Sequence, residues 1–185
     1  MRLIRLLSLF LLALGIVTMS NANDASAQDL ENTLYLDLKD GRVVIQLRPD
    51  LAPNHVARIK ELTRQGFYDG LKFHRVIDGF MAQTGDPAGN GTGGSGQKLK
   101  AEFSNEHHAR GTVSMARSAS PDSADSQFFI CLADAPHLDG QYTVWGEVVE
   151  GMEYVDMIKK GASWANGSVA DPDHIIKMQV AADAE

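Results

Sequence analysis

The chain has 185 residues, with 17 lysines and arginines against 24 aspartates and glutamates, a formal net charge of −7. That balance excludes a nucleic-acid partner held by phosphate neutralisation, which needs clustered Lys and Arg. A lone cysteine, Cys131, excludes a disulfide within one chain.

The opening segment reads as an address. Arg2 and Arg5 precede an apolar run at 6–17 (LLSLFLLALGIV), and small polar residues follow. Residues 1–27 are expected to be a signal peptide cleaved after Ala27 (Ala25-Ser26-Ala27), with Ala22 the second choice. The run of 12 residues falls short of the ~20 that span a bilayer, so no stable membrane insertion is expected after cleavage. The expected address is the periplasm, with full secretion the alternative. Cleavage removes Arg2, Arg5 and Asp24, leaving 15 basic and 23 acidic residues in one domain at 28–185.

Residues 33–38 (TLYLDL) and 42–47 (RVVIQL) are β-rich runs around Lys39-Asp40-Gly41, a hairpin signal. Pro53 suits the first turn of a helix; Val56, Ile59 and Leu62 recur at helical spacing, and Gly66 supplies the stop. Residues 72–84 return to strand-like alternation, and 85–96 (GDPAGNGTGGSG) must be loop. Further strands are predicted at 111–116, 127–132, 143–149 and 174–181, with a second helix at 152–160 closed by Gly161. Many short strands and two helices indicate a mainly β barrel or sandwich.

Three blocks carry a specific signal: residues 73–87 (FHRVIDGFMAQTGDP), the glycine stretch Gly91-Thr92-Gly93-Gly94, and 126–131 (SQFFIC) preceded by Ser114-Met115-Ala116. Leu138-Asp139-Gly140 and Val144-x-Gly146-x-Val148 follow in order. Together they resemble the cyclophilin-type peptidyl-prolyl cis/trans isomerases over essentially the whole mature chain. The resemblance implies a closed eight-stranded antiparallel β-barrel with two capping α-helices and a groove on its outer face. It implies Arg75 as the catalytic guanidinium and Gln83 as the residue that orients it. Phe80, Met81, Phe129 and Leu138 would wall a proline pocket. Ala116 would line its floor, main-chain groups around Arg117 would pair with the peptide, and Gln127 would bond substrate backbone. Tyr142 stands where many members have an active-site histidine; neither ring acts as acid or base, so activity is expected with altered substrate contacts. His137 stands where drug-sensitive members have tryptophan, so weak cyclosporin binding is expected. Arg117 replaces the usual asparagine at a position that works through its backbone.

The implied substrates are proline-containing polypeptides, with no cofactor and no metal, and the chain is read as a monomer that assists folding of extracytoplasmic proteins. A proline-peptide receptor or holdase is the rival reading, and the intact Arg75, Gln83 and Gln127 set argues against it. Phe128 is assigned to the core, and Cys131 is read as a buried strand residue, since a catalytic thiol would want a nearby His and an electropositive niche. His107-His108 reads as an exposed loop rather than a metal site. Gly89-x-Gly91-x-x-Gly94 matches a dinucleotide fingerprint by letter but lacks its strand and helix. The sequons at Asn90 and Asn166 are likewise matches by letter only.

Overall fold

The computed structural model describes residues 29–184; the expected signal peptide lies outside the described residues. Eight strands, β1 (Thr33–Leu38), β2 (Gly41–Leu47), β3 (Arg75–Ile77), β4 (Met81–Thr84), β5 (Thr112–Met115), β6 (Phe128–Cys131), β7 (Val144–Glu150) and β8 (Lys177–Val180), form one sheet. Its order is β3-β4-β6-β5-β7-β2-β1-β8, with every neighbouring pair antiparallel. Two helices accompany it, α1 (Pro53–Arg64) and α2 (Met152–Asp156).

Period-two alternation assigns the faces. Leu34, Leu36 and Leu38 point inward opposite Ile45 and Val43, while Asp37 and Arg42 pair on the outside at 2.7 Å. Inside the curl, Phe128 meets Tyr68 and Trp145 edge-on at 5.5 and 5.4 Å, and Phe73, Val113 and Ile130 complete the packing. Register shifts at Val44/Ile45 and Val113/Ser114 bend the sheet. Phe128 is therefore core, as expected.

The run at 72–84 is two strands rather than one. Asp78 and Gly79 turn the chain, Gly79 at φ 66°, a value that favours glycine, and the strands pair Arg75↔Gln83, Val76↔Ala82 and Ile77↔Met81. This supplies the eighth strand. Two boundaries are shorter than the periodicity suggests. Asp173 captures the Lys159 amide at 2.8 Å and draws the chain off α2, and the Ile175 amide bonds Leu71 before β8 begins.

The sheet is an open, curled half-barrel, which narrows the expectation of a closed one. The edge strands β3 and β8 share no ladder. Residues 161–169 instead cover the outer edge of β3. Val76 N–H donates to the Gly167 carbonyl, Gly161 N–H to that of Val76, and Val169 N–H to that of His74, at 2.8, 2.8 and 3.1 Å. Among the described residues, the Lys72↔His174 bridge and adjoining bonds such as Phe73 N–H to the Asp173 carbonyl join the two sides of the seam.

Helix α1 buries Val56, Ile59 and Leu62 against the sheet, yet Ala52 offers its N-terminus no side-chain cap. Glu102, 47 residues along from His55, does so instead. Its carboxylate accepts from the backbone amides of Asn54 and His55 at 3.1 and 3.0 Å and from their side chains at 2.7 and 2.6 Å. Burial pushes the Glu102 carboxyl up, but these bonds outweigh it and hold it below the usual carboxylate value. Because folding lowers that pKa, the contribution is complete above the unfolded value of about 4.3 and is lost as pH falls through the folded one. Glu102→Gln is expected to cost about 1–2 kcal/mol of unfolding free energy at pH 7, with the gap to wild type narrowing below pH 4. Urea titrations at the two pH values check this; equal stability at pH 7 would contradict it.

Candidate active site

The sheet register builds the site. Across β3, β4, β6 and β5, one outward row runs Arg75, Gln83, Phe129, Ser114, and a second runs Ile77, Met81, Cys131. Residues in such rows sit about 5 Å apart on neighbouring strands. The inward partners Val76, Ala82, Ile130 and Phe128 belong to the main core. On the outer face Met81, Phe129, Cys131, Ala135 and Leu138 form a separate apolar cluster, with Phe80, Ala116 and Tyr142 against it. Leu138 reaches it from a 3₁₀ turn at Pro136–Leu138.

A cavity of about 280 Å³ opens into this cluster, lined by Arg75, Phe80, Met81, Gln83, Ala116, Arg117, Phe129, His137, Leu138 and Tyr142. Ten of the eleven residues singled out from sequence, His137 included, thus meet in one place; Gln127 lines an adjoining cavity of about 190 Å³. Tyr142 stands edge-on to Phe129 at 5.8 Å, and the Arg117 guanidinium lies over the Tyr142 ring at 4.5 Å. His137 tilts against Phe80 at 5.3 Å.

Arg75 is held from two sides. Its Nη1 donates to Gln83 Oε1 at 3.2 Å, and Gln83 Nε2 donates to Gln127 Oε1 at 2.9 Å. Gln127 Nε2 in turn donates to the carbonyls of Gly93 and Gly91 at 2.8 and 3.1 Å. The Gln127 amide is therefore engaged with the glycine loop, and its nitrogen must leave that loop to meet a substrate. The loop is itself tied down: Asp86 accepts from the amides of Ala88, Asn90 and Gly91, and Asp125 from Ser95 and Gly96. Burial pushes the Asp86 carboxyl up, but those amides hold it net below its ordinary value. On the other side, Arg75 Nε donates to the Asn166 carbonyl and Nη2 to Asn166 Oδ1, both at 3.0 Å. A guanidinium has five N–H groups; these bonds use three, Nη1 also faces the weak acceptor Met81 Sδ at 3.9 Å, and one N–H on Nη2 is left over. Partial burial pulls the Arg75 pKa down from its ordinary value, a direction that leaves an arginine charged at neutral pH.

The chain resembles known proteins across this region. A family model for cyclophilin type peptidyl-prolyl cis-trans isomerases matches residues 33–180. This chain belongs to that family. A protein of Brucella suis named probable peptidyl-prolyl cis-trans isomerase is 58% identical over 173 residues, 87% of this chain and 88% of its own. Among solved structures, a cyclophilin of Hirschia baltica is 28% identical with a TM-score of 0.76, covering 85% of this chain and 76% of its own. A Cryptosporidium parvum cyclophilin type isomerase, determined in the presence of the dipeptide Ala-Pro, is 27% identical with a TM-score of 0.74, covering 80% and 98%. This cyclophilin is accordingly a peptidyl-prolyl cis/trans isomerase.

Two residues escaped the sequence reading. His107 is exposed as expected, but His108 is buried. Asp139 accepts from the His108 amide and faces its Nδ1 at 2.8 and 3.0 Å, and Nε2 lies 3.1 Å from Ser114 Oγ. Its ring stacks beside Phe129 at 6.2 Å, and burial pushes it below the ordinary histidine value despite Asp139. Cys131, also behind the pocket, is buried, and desolvation pushes its thiol up to about 12. The second missed residue is Asn166. Its Asn-Gly sequence marks a left-handed turn, and it adopts φ 52°, but no local signal says that it faces Arg75. Asn166→Gly tolerates that backbone, keeps the carbonyl that Nε meets, and removes the side chain with its Oδ1 acceptor. It is expected to lower kcat by about three- to tenfold, with KM changed less than twofold, in an NMR exchange assay. An unchanged kcat would show that the Gln83 side alone positions the guanidinium.

Proposed function

We propose that this cyclophilin rotates Xaa-Pro bonds by directing a terminal N–H of Arg75, not taken by Gln83 or Asn166, at the prolyl nitrogen, and that it acts on exported polypeptides as a folding assistant. The observation that carries the reading is the doubly clamped guanidinium at the mouth of an apolar pocket.

A planar peptide bond resists rotation by ~18–20 kcal/mol because its C–N bond is partly double. The uncatalysed change takes tens to hundreds of seconds, slow enough to delay folding. When the bond twists, resonance is lost and the prolyl nitrogen regains a lone pair. A donor aimed there binds the twisted state and gains little from the planar one, which is the condition for catalysis. A charge-assisted hydrogen bond contributes roughly 1.5–3 kcal/mol, or about one to two orders of magnitude in rate. The pocket formed by Phe80, Met81, Phe129 and Leu138 seats the proline ring and excludes water, which strengthens that bond further. No nucleophile, metal or redox group enters this scheme. Proline-containing peptides as ligands fit the related structure determined with Ala-Pro. His137, in place of an indole, leaves cyclosporin a weak ligand.

Export rests on the N-terminal pattern of residues 1–27. Intact mass of the processed chain, with its cell fraction, tests the address: a mature form starting at Gln28 in the periplasm supports it, and an uncleaved cytoplasmic chain contradicts it. For the chemistry, Arg75→Ala is expected to lower the catalysed exchange of a short proline peptide about 10- to 100-fold. Equal rates would overturn the role of Arg75.

A further inference from the structure

Five of the seven arginines among the described residues are paired with carboxylates: Arg42, Arg48, Arg58, Arg64 and Arg110. The two without such a partner among the described residues are Arg75 and Arg117, and both line the proline pocket. In a chain whose acidic residues outnumber its basic ones, two guanidiniums without a carboxylate partner meet on one groove. Both also line a flanking cavity of about 520 Å³, shared with Asn90, Asn166 and Ser168, to which no aspartate or glutamate contributes. The carboxylates nearest the glycine loop are already engaged, Asp86 by three backbone amides and Asp125 by two amides, the Ser95 hydroxyl and the Lys98 ammonium.

The donors of Arg117 meet only neutral oxygens: Nε and Nη2 donate to the Gln141 carbonyl at 3.1 and 2.9 Å, and Nη1 to that of Ser118 at 3.0 Å. These bonds and the Tyr142 ring fix the guanidinium plane without cancelling its charge. His74 lines the same cavity, is 8% exposed, and has no hydrogen-bond partner on either ring nitrogen. The cavity is thus cationic, polar and continuous with the seat proposed for proline.

We infer that this isomerase selects Xaa-Pro segments carrying a glutamate or aspartate next to the proline, whose carboxylate enters the flanking cavity between Arg75 and Arg117. The inference rests on the proline-pocket reading above. A guanidinium fork suits a carboxylate, and complementary charge at a binding surface gives selectivity more than raw affinity. The global negative charge of the protein opposes acidic substrates only weakly, since charges beyond about 8 Å are screened at physiological salt.

The test uses N-acetylated, C-amidated peptides that differ only in Glu, Gln or Lys, placed either directly before or directly after the proline. Uncatalysed exchange is subtracted for each. At one of the two positions, kcat/KM for Glu is expected to exceed that for Gln by about three- to tenfold at low salt, with Lys below Gln, and the ratio to approach one in 0.5 M salt. In Arg117→Gln the Glu-to-Gln ratio, read within that enzyme so that any general loss cancels, is expected to fall below twofold. A wild-type ratio of one or less at both positions, with catalysis intact, would overturn this inference alone; so would a ratio unchanged in Arg117→Gln. Absence of catalysis on every peptide would overturn the isomerase reading and this inference with it.

Discussion

The outer edge of β3 is hydrogen-bonded to residues 161–169 rather than to β8, and much of the molecule depends on that pairing. An exposed edge strand presents unpaired N–H and C=O groups that must find partners. Here a loop satisfies them, so the sheet stays open along one seam. The same bonds set Asn166 beside Arg75. Gly167 allows the close approach: it sits at φ 78°, and a Cβ there would run into Ile77. A device that protects a strand edge therefore also positions the one cation proposed to do the chemistry.

The sheet separates two apolar populations that composition alone cannot distinguish. Inward side chains of β4 and β6 join the large core, while Met81, Phe129 and Cys131, one residue away in each case, join the outer cluster, where Met81 and Phe129 line the pocket and Cys131 lies behind it. A register slip of one residue would exchange the two sets. Pairing of β4 with both β3 and β6 pins that register, and the relay from Arg75 through Gln83 and Gln127 to the glycine loop runs across it. Packing and polar orientation thus reinforce each other at one place, which is the condition for a preorganised site.

The pocket was largely legible because its parts come from short ordered blocks whose side-chain direction follows from period-two spacing. Arg75 with Gln83, and Phe129 with Leu138, needed only the resemblance and the alternation. What was not legible came from long-range pairing. Glu102 caps a helix whose own N-cap is Ala52, and nothing in residues 52–55 announces a distant carboxylate. Asn166 showed its left-handed turn by its Asn-Gly letters but not its partner. His108 looked like loop because the buried acceptor that admits it, Asp139, lies 31 residues away. The extra strand was a local error, since Asp78-Gly79 is itself a hairpin signal inside the run at 72–84.

The central claim is that Arg75 recognises the twisted amide and hardly the planar one. Its most direct test is the equilibrium affinity of wild type and Arg75→Ala for a proline peptide, measured by titration beside the catalysed exchange rate of the same peptide. A guanidinium specific for the twisted state predicts dissociation constants within about threefold of each other while the exchange rate falls by tenfold or more. A parallel loss of affinity and rate would mean that Arg75 only holds the ground state, and would contradict the mechanism.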